Sequence, residues 1–328
     1  MINIFKALNP LNILWLAILL FLLRAGYVLH NPPKTEFAFA EPFARLLITS
    51  AGSYTISPLY NVVLTGVIVF AQALLLNYLI NHYNLLGKPT FLPALMYVTA
   101  SGLFTPFLIL SPPLICNFLV IWMLFKLFSF YKNKDSKSAA YDLGMMVAVG
   151  SFIYFPFVYL FLSICIGLII FKPFNWREVA AAVIGYITIF FFLAVYYYWN
   201  NSLQQFYDFW VPFSSRSSDN IKLDNYNYLI LIPVGIILLL CFFKLQQNFF
   251  KSYVQIRKSF QLLFFLFLIA GLSFYLKGVV NLSHFLLCTV PASVFFSYYF
   301  LYARARWFYE SLFLLLLISI VYFQFNTF

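Results

Sequence analysis

Val179–Trp199 reads Val-Ala-Ala-Ala-Val-Ile-Gly-Tyr-Ile-Thr-Ile-Phe-Phe-Phe-Leu-Ala-Val-Tyr-Tyr-Tyr-Trp, twenty-one residues without a charge. At about 1.5 Å of rise per residue, such a run matches the roughly 30 Å of hydrocarbon in a bilayer. It does not alternate apolar with polar, as a barrel strand must. A membrane span has to satisfy its own backbone, so the run predicts a helix. Leu229–Phe243 and Leu312–Phe323 repeat the pattern. The whole chain agrees: of 328 residues, 64% are hydrophobic and only 9% charged. About a quarter of an average soluble chain is charged. That excludes a soluble enzyme and a disordered chain. Four Cys are too few for a disulfide-stapled secreted module.

The sequence therefore predicts an all-α, polytopic transmembrane bundle forming a single membrane domain over residues 1–328. Apolar runs place about eleven spans at 9–30, 59–81, 91–109, 112–130, 140–153, 156–172, 179–199, 227–243, 260–276, 282–302 and 308–325. The third and fourth are tightly joined through Ser111-Pro112-Pro113, and the fifth is short. The first run continues into Arg24 without a small-residue cleavage site and reads as a retained span.

Charge sets the orientation. With the N-terminus in the cytoplasm, fourteen of the twenty basic residues fall inside, among them Lys88, Lys126, Lys132, Lys134, Arg257 and Arg306. Arg24, Lys34, Arg45, Arg216, Lys222 and Lys277 fall outside, which agrees with the positive-inside rule. The net charge of +11 is then a topology signal and an attraction to anionic lipid. No basic patch on a soluble face points to nucleic acid. This is the expectation for a multi-pass protein of the plasma (inner) membrane.

Two loops carry most of the outer polar sequence, 31–58 and 200–226. In the first, Pro42 suits a first helical turn, and Phe43, Leu46 and Leu47 share one face. Glu41 and Arg45 stand four apart on the wet side. In the second, Ser202-Leu203-Gln204-Gln205 fits a capping box, followed by a stripe of Leu203, Phe206, Tyr207 and Trp210 opposite Asp208. Each loop reads as an interfacial helix bearing a carboxylate.

Arg24 lies near the outer end of the first span. It either snorkels outward or clamps a lipid phosphate. Lys277 and His284 flank the tenth span. Either they serve as an anchor and a backbone-bonded side chain, or they face an outer cavity. Ala140, Gly144 and Ala148 give the fifth helix a small face for close packing. Arg306 and Glu310 form an i, i+4 pair. The four Cys are far apart in apolar spans, and the three His have no ligand spacing, so neither a metal nor a cofactor is expected. A transporter ranks low because the apolar runs predict a midplane short of polar groups.

An inside N-terminus, one span, an outer loop carrying a carboxylate and an interfacial helix, then tightly paired short spans resembles the GT-C superfamily of membrane glycosyltransferases. Asn281–Pro291, a polar start followed by an apolar run and Pro, is similar to a late span of those enzymes. The resemblance implies a sugar donor linked to polyprenyl phosphate at the outer face. It implies Glu41 or Glu36 as catalytic base. Arg24, Lys34, Arg45, Asp208, Lys277 and His284 are then the substrate-contacting set. The Phe-, Tyr-, Asn- and Lys-rich usage also resembles polytopic membrane proteins of Bacteroidota, which implies a periplasm beyond the outer face. The rival expectation is non-enzymatic: a scaffold or lipid-binding subunit partnered with other membrane proteins of an envelope complex.

Overall fold

A computed structural model of the chain describes residues 1–29, 57–131, 136–201, 204, 227–248, 252–276 and 282–325. The described residues hold helices and no strand. After a single-turn helix α1 (Ile2–Phe5) come α2 (Leu11–Leu29), α3 (Pro58–His82), α4 (Leu92–Ala100), α5 (Pro112–Ser129) and α6 (Ser136–Ile153). Then follow α7 (Leu160–Phe171), α8 (Trp176–Trp199), α9 (Asn227–Asn248), α10 (Val254–Leu272), α11 (Leu286–Tyr302) and α12 (Arg306–Phe325). Among the described residues, seven segments are long and apolar enough to cross a membrane: Leu11–Val28, Leu59–His82, Pro112–Ser129, Trp176–Trp199, Leu231–Asn248, Val254–Leu272 and Leu282–Tyr302.

The local signals act as the sequence suggests. Ser57 caps α3 by accepting from the Tyr60 amide, with Pro58 in the first turn, where its missing N–H costs nothing. Pro112 and Pro113 open α5, and Asn175 caps α8 by accepting from the Arg177 amide. Lys172 is extended because Pro173 follows it, which ends α7. Gly87 takes a positive φ in the turn after α3, where a Cβ would be strained.

α11 is the hub. Fourteen of its residues are buried, and α4, α5, α9 and α10 pack against it. α2, α3 and α5 follow one another along one flank, and α12 packs back against α2. α8 stands outermost and meets the bundle chiefly through α6. Phe191, Phe192 and Trp199 of α8 face outward, Trp199 at 84% exposure. A soluble protein does not leave a whole helix face of this kind to water, whereas lipid solvates it.

The α6–α8 contact confirms the small face. A Cβ on Gly144 would overlap the Ala182 carbonyl, and one on Gly185 would overlap the Tyr141 carbonyl. Two glycines therefore let the backbones touch, which is how helices associate where no hydrophobic force acts between them.

The third expected span differs from its prediction. Of residues 91–109, only Leu92–Ala100 is α-helical. A turn and a short 3-10 stretch at Thr105–Phe107 complete the segment. Nine residues rise only about 14 Å. The segment nonetheless runs from one end of the bundle to the other. The Phe91 amide donates to the Phe5 carbonyl at 2.9 Å, while the Leu108 carbonyl lies against Arg24. Non-helical backbone at membrane depth is tolerated only when protein covers it. All nine residues of α4 are buried, and neighbouring helices supply the missing bonds. Asn61 Oδ1 of α3 accepts from the Leu110 amide at 3.0 Å, and Arg24 of α2 donates to Leu108.

Polar contacts sort by end. Ends that the charge pattern places inside meet one another: Lys126 pairs with Asp142 at 2.8 Å, and the Tyr302 hydroxyl donates to the Leu86 carbonyl. There, too, the Tyr309 hydroxyl donates to Asn3 and Arg306 pairs with Glu310, the expected i, i+4 contact. Arg24, Val62 and Leu108 meet at the other end.

Candidate functional site

Arg24 does not snorkel. Its side chain is held inside by the helices around it, at 6% residue exposure. Nη1 donates to the Val62 carbonyl of α3 at 3.1 Å and to the Leu108 carbonyl of the broken span at 3.3 Å. These bonds tie α2, α3 and the broken span together. Nη2 is buried and has no hydrogen-bond partner among the described residues. A guanidinium has five N–H groups in a fixed fork, so anchoring Nη1 leaves the hydrogens of Nη2 unspent.

Arg24 lines a groove of about 530 Å³ between α2 and α3. Ala17, Leu20, Gly66 and Phe70 line it below Arg24, and every other lining side chain is apolar as well. The rim is open: Phe21 is 72% and Val67 62% exposed. Small residues make the space. A Cβ on Gly66 would sit 3.4 Å from Leu20 Cδ2 and 3.6 Å from Arg24 Cδ. The site is thus one fixed cation at the head of an apolar trough that opens sideways toward lipid. Such a site can donate a charge-assisted hydrogen bond to an anionic head while a hydrocarbon chain fills the trough.

His284 takes the structural alternative. It is 2% exposed, with Nδ1 at 2.6 Å from the Tyr154 hydroxyl. Nε2 lies 2.9 Å from the Ala270 carbonyl and 3.2 Å from Ser273 Oγ. A carbonyl only accepts, so Nε2 carries the proton and Nδ1 accepts from Tyr154. The ring joins the end of α10, the segment after α6 and the start of α11, and it does not line the Arg24 groove. Glu36, Glu41, Lys34, Arg45, Asp208 and Lys277 lie outside the described residues, as do both expected interfacial helices.

Sequence reasoning missed a polar cluster in the heart of the bundle. The Tyr97 hydroxyl donates to Gln72 Oε1 at 2.8 Å and accepts from Asn117 Nδ2 at 3.1 Å. Asn117 Nδ2 also donates to the Leu286 carbonyl, and Gln72 Nε2 donates to the Leu114 carbonyl at 2.7 Å. Thr289 Oγ1 joins through the same Leu286 carbonyl. The interior is therefore not bare of polar groups, contrary to the hydropathy reading. The signal was present: Asn61, Thr65 and Gln72, spaced by four and seven, share one face of α3. All three are buried. The cluster fastens α3, α4, α5 and α11.

Residues 43–328 match a protein family described as a family of unknown function (DUF6427), and the chain belongs to it. Arg24 precedes the matched region, whereas Gln72, Tyr97, Asn117 and His284 lie within it. No curated protein and no solved structure matches the chain.

Proposed function

We propose that this family member is a multi-pass plasma-membrane protein that binds a phosphate-bearing lipid on the outer side, with Arg24 receiving the phosphate. The observation that carries the reading is the Nη2 group of Arg24, buried beside an apolar groove with no partner among the described residues. The positive-inside bias supports a cytoplasmic N-terminus, which puts Arg24 toward the outer leaflet. Cysteines introduced at positions 36 and 134 are then expected to react with impermeant reagent from opposite sides of sealed vesicles. Labelling of both from one side contradicts the orientation.

Beside this lipid site, the activity we propose is a GT-C-like sugar transfer from a polyprenyl-phosphate donor. Glu41 or Glu36 takes the proton of an acceptor hydroxyl, and the freed oxygen bonds to the anomeric carbon. The bond from that carbon to the phosphate oxygen breaks, and the lipid phosphate leaves with the electron pair. Arg45 and Lys277 offset its charge. The test is turnover of a polyprenyl-phosphate sugar by purified protein. Glu41→Gln combined with Glu36→Gln is expected to lower the rate by about 100-fold or more, the usual scale of a lost general base. Undiminished transfer by the double variant removes both residues from the mechanism.

A second reading is a lipid-binding subunit of an envelope complex, without chemistry. The closed-in His284 favours it, because both of its ring nitrogens are spent on groups of this chain. Co-purification of a stoichiometric membrane partner, with retained lipid and no transfer, selects this reading.

A further inference from the structure

We infer that the α2–α3 groove selects an anionic glycerophospholipid whose headgroup carries no amine, with one acyl chain in the groove and the other left in the bilayer. The inference rests on the reading of Arg24 as a phosphate site and adds which head and which chain arrangement it takes.

Headgroup selectivity follows from the charge balance. Arg24 is the one charged side chain lining the groove, and no carboxylate lines it among the described residues. A phosphate alone satisfies Nη2. An ammonium on the same headgroup would be brought toward the fixed guanidinium with no acid to receive it. In a site partly screened from water, that juxtaposition costs more than it would at the surface. Phosphatidylglycerol therefore fits, and phosphatidylethanolamine fits less well.

Chain arrangement follows from shape. From Arg24 to Ala17 is seven residues of helix, about 10 Å along the axis. The trough below the cation thus holds the upper part of one chain. Its width is what Gly66 and Ala17 leave between two neighbouring helices, and its side is open past Phe21 and Val67. A two-chain lipid can seat one chain there and keep the other in the surrounding bilayer. Because Nη1 is anchored to two backbone carbonyls, the cation is fixed, which suits retention of a lipid. Gly66 sets the clearance: one added Cβ makes ordinary contact, but a longer side chain has to occupy the trough.

The test is lipid titration of the purified full chain, read by native mass spectrometry. The probes are phosphatidylglycerol, phosphatidylethanolamine, diacylglycerol and a polyprenyl phosphate, applied to the wild type, Arg24→Gln and Gly66→Leu. Wild type is expected to prefer phosphatidylglycerol over phosphatidylethanolamine by about tenfold, and both variants are expected to lose that preference. Gly66→Leu leaves the Arg24 charge in place, so it decides the matter if Arg24→Gln does not fold. Equal, Arg24-dependent binding of the two phospholipids overturns the headgroup inference and leaves the phosphate reading standing. Binding that ignores Arg24 overturns both. A tenfold preference for the polyprenyl phosphate overturns the glycerophospholipid assignment and places a donor lipid there instead. Lipid binding that appears only after Glu36→Gln and Glu41→Gln are introduced also overturns it, because the occupant of Nη2 is then a carboxylate of the same chain.

Discussion

Gly144→Ala is expected to lower the melting temperature of the detergent-solubilised protein sharply, whereas Gly235→Ala is not. Both changes add one methyl group inside a helix, and helix propensity alone favours Ala over Gly by about 1 kcal/mol. At Gly235, in α9, the new Cβ meets nothing within 4 Å, so propensity decides and stability holds or rises slightly. At Gly144, in α6, the Cβ would overlap the backbone carbonyl of Ala182 in α8. A backbone cannot swing aside as a side-chain tip can, so the helices have to separate. Overpacking of this kind costs about 1–3 kcal/mol even where side chains yield, and a rigid neighbour sets the upper end of that range. The loss outweighs the propensity gain. Gly185→Ala is expected to behave in the same way, against the Tyr141 carbonyl. Because the two glycines serve one contact, the double variant should lose less than the two single losses added together. Equal stability of Gly144→Ala and Gly235→Ala would contradict the close α6–α8 contact.

Asn117→Leu is the second large effect. It removes the amide that bonds both the Tyr97 hydroxyl and the Leu286 carbonyl, and all three groups are buried between α4, α5 and α11. Tyr97 keeps Gln72 and the Leu286 carbonyl keeps Thr289, so the loss falls in the lower part of the range, about 1–3 kcal/mol, that a fully stranded buried group costs in soluble proteins. Hydrogen bonds inside membranes average nearer 0.6 kcal/mol in double-mutant cycles, because the unfolded chain there also finds partners. The cluster sits among protein groups, at a hub that no lipid reaches, so the expected loss lies toward the soluble value. A cycle combining Asn117→Leu with Tyr97→Phe separates the terms. A coupling of about 1 kcal/mol is expected, since the hydroxyl bridges Gln72 and Asn117. Zero coupling would mean that each group finds an independent partner.

These two effects also show what the sequence could and could not disclose. Hydropathy finds α8 because the run 179–199 must lie in lipid whatever its neighbours do. Spacing finds the Ala140, Gly144 and Ala148 face because small residues repeat by one helical turn. Neither can show that 91–109 breaks after Ala100, because Thr99, Ser101, Gly102 and Pro106 weaken a helix without forbidding one. The break holds because Asn61 and Arg24 reach across from α3 and α2 to its backbone, a long-range fact. The same contact decides against snorkelling, one of the two alternatives that the sequence leaves open for Arg24. A cation near a helix end is free to snorkel unless carbonyls are waiting for it, and those carbonyls lie 38 and 84 residues away in sequence. For His284, the backbone-bonded alternative was in view from the start, and Ala270 is the partner.

The claim on which the functional account turns is that Arg24 Nη2 receives a lipid phosphate. Electron cryomicroscopy of the full chain in nanodiscs containing phosphatidylglycerol tests it directly. The account predicts headgroup density about 3 Å from Nη2, continuous with a chain running past Gly66 toward Phe70. A map in which Nη2 is instead bonded to Glu36, Glu41 or any other group of this chain, with the groove empty of a headgroup, contradicts it.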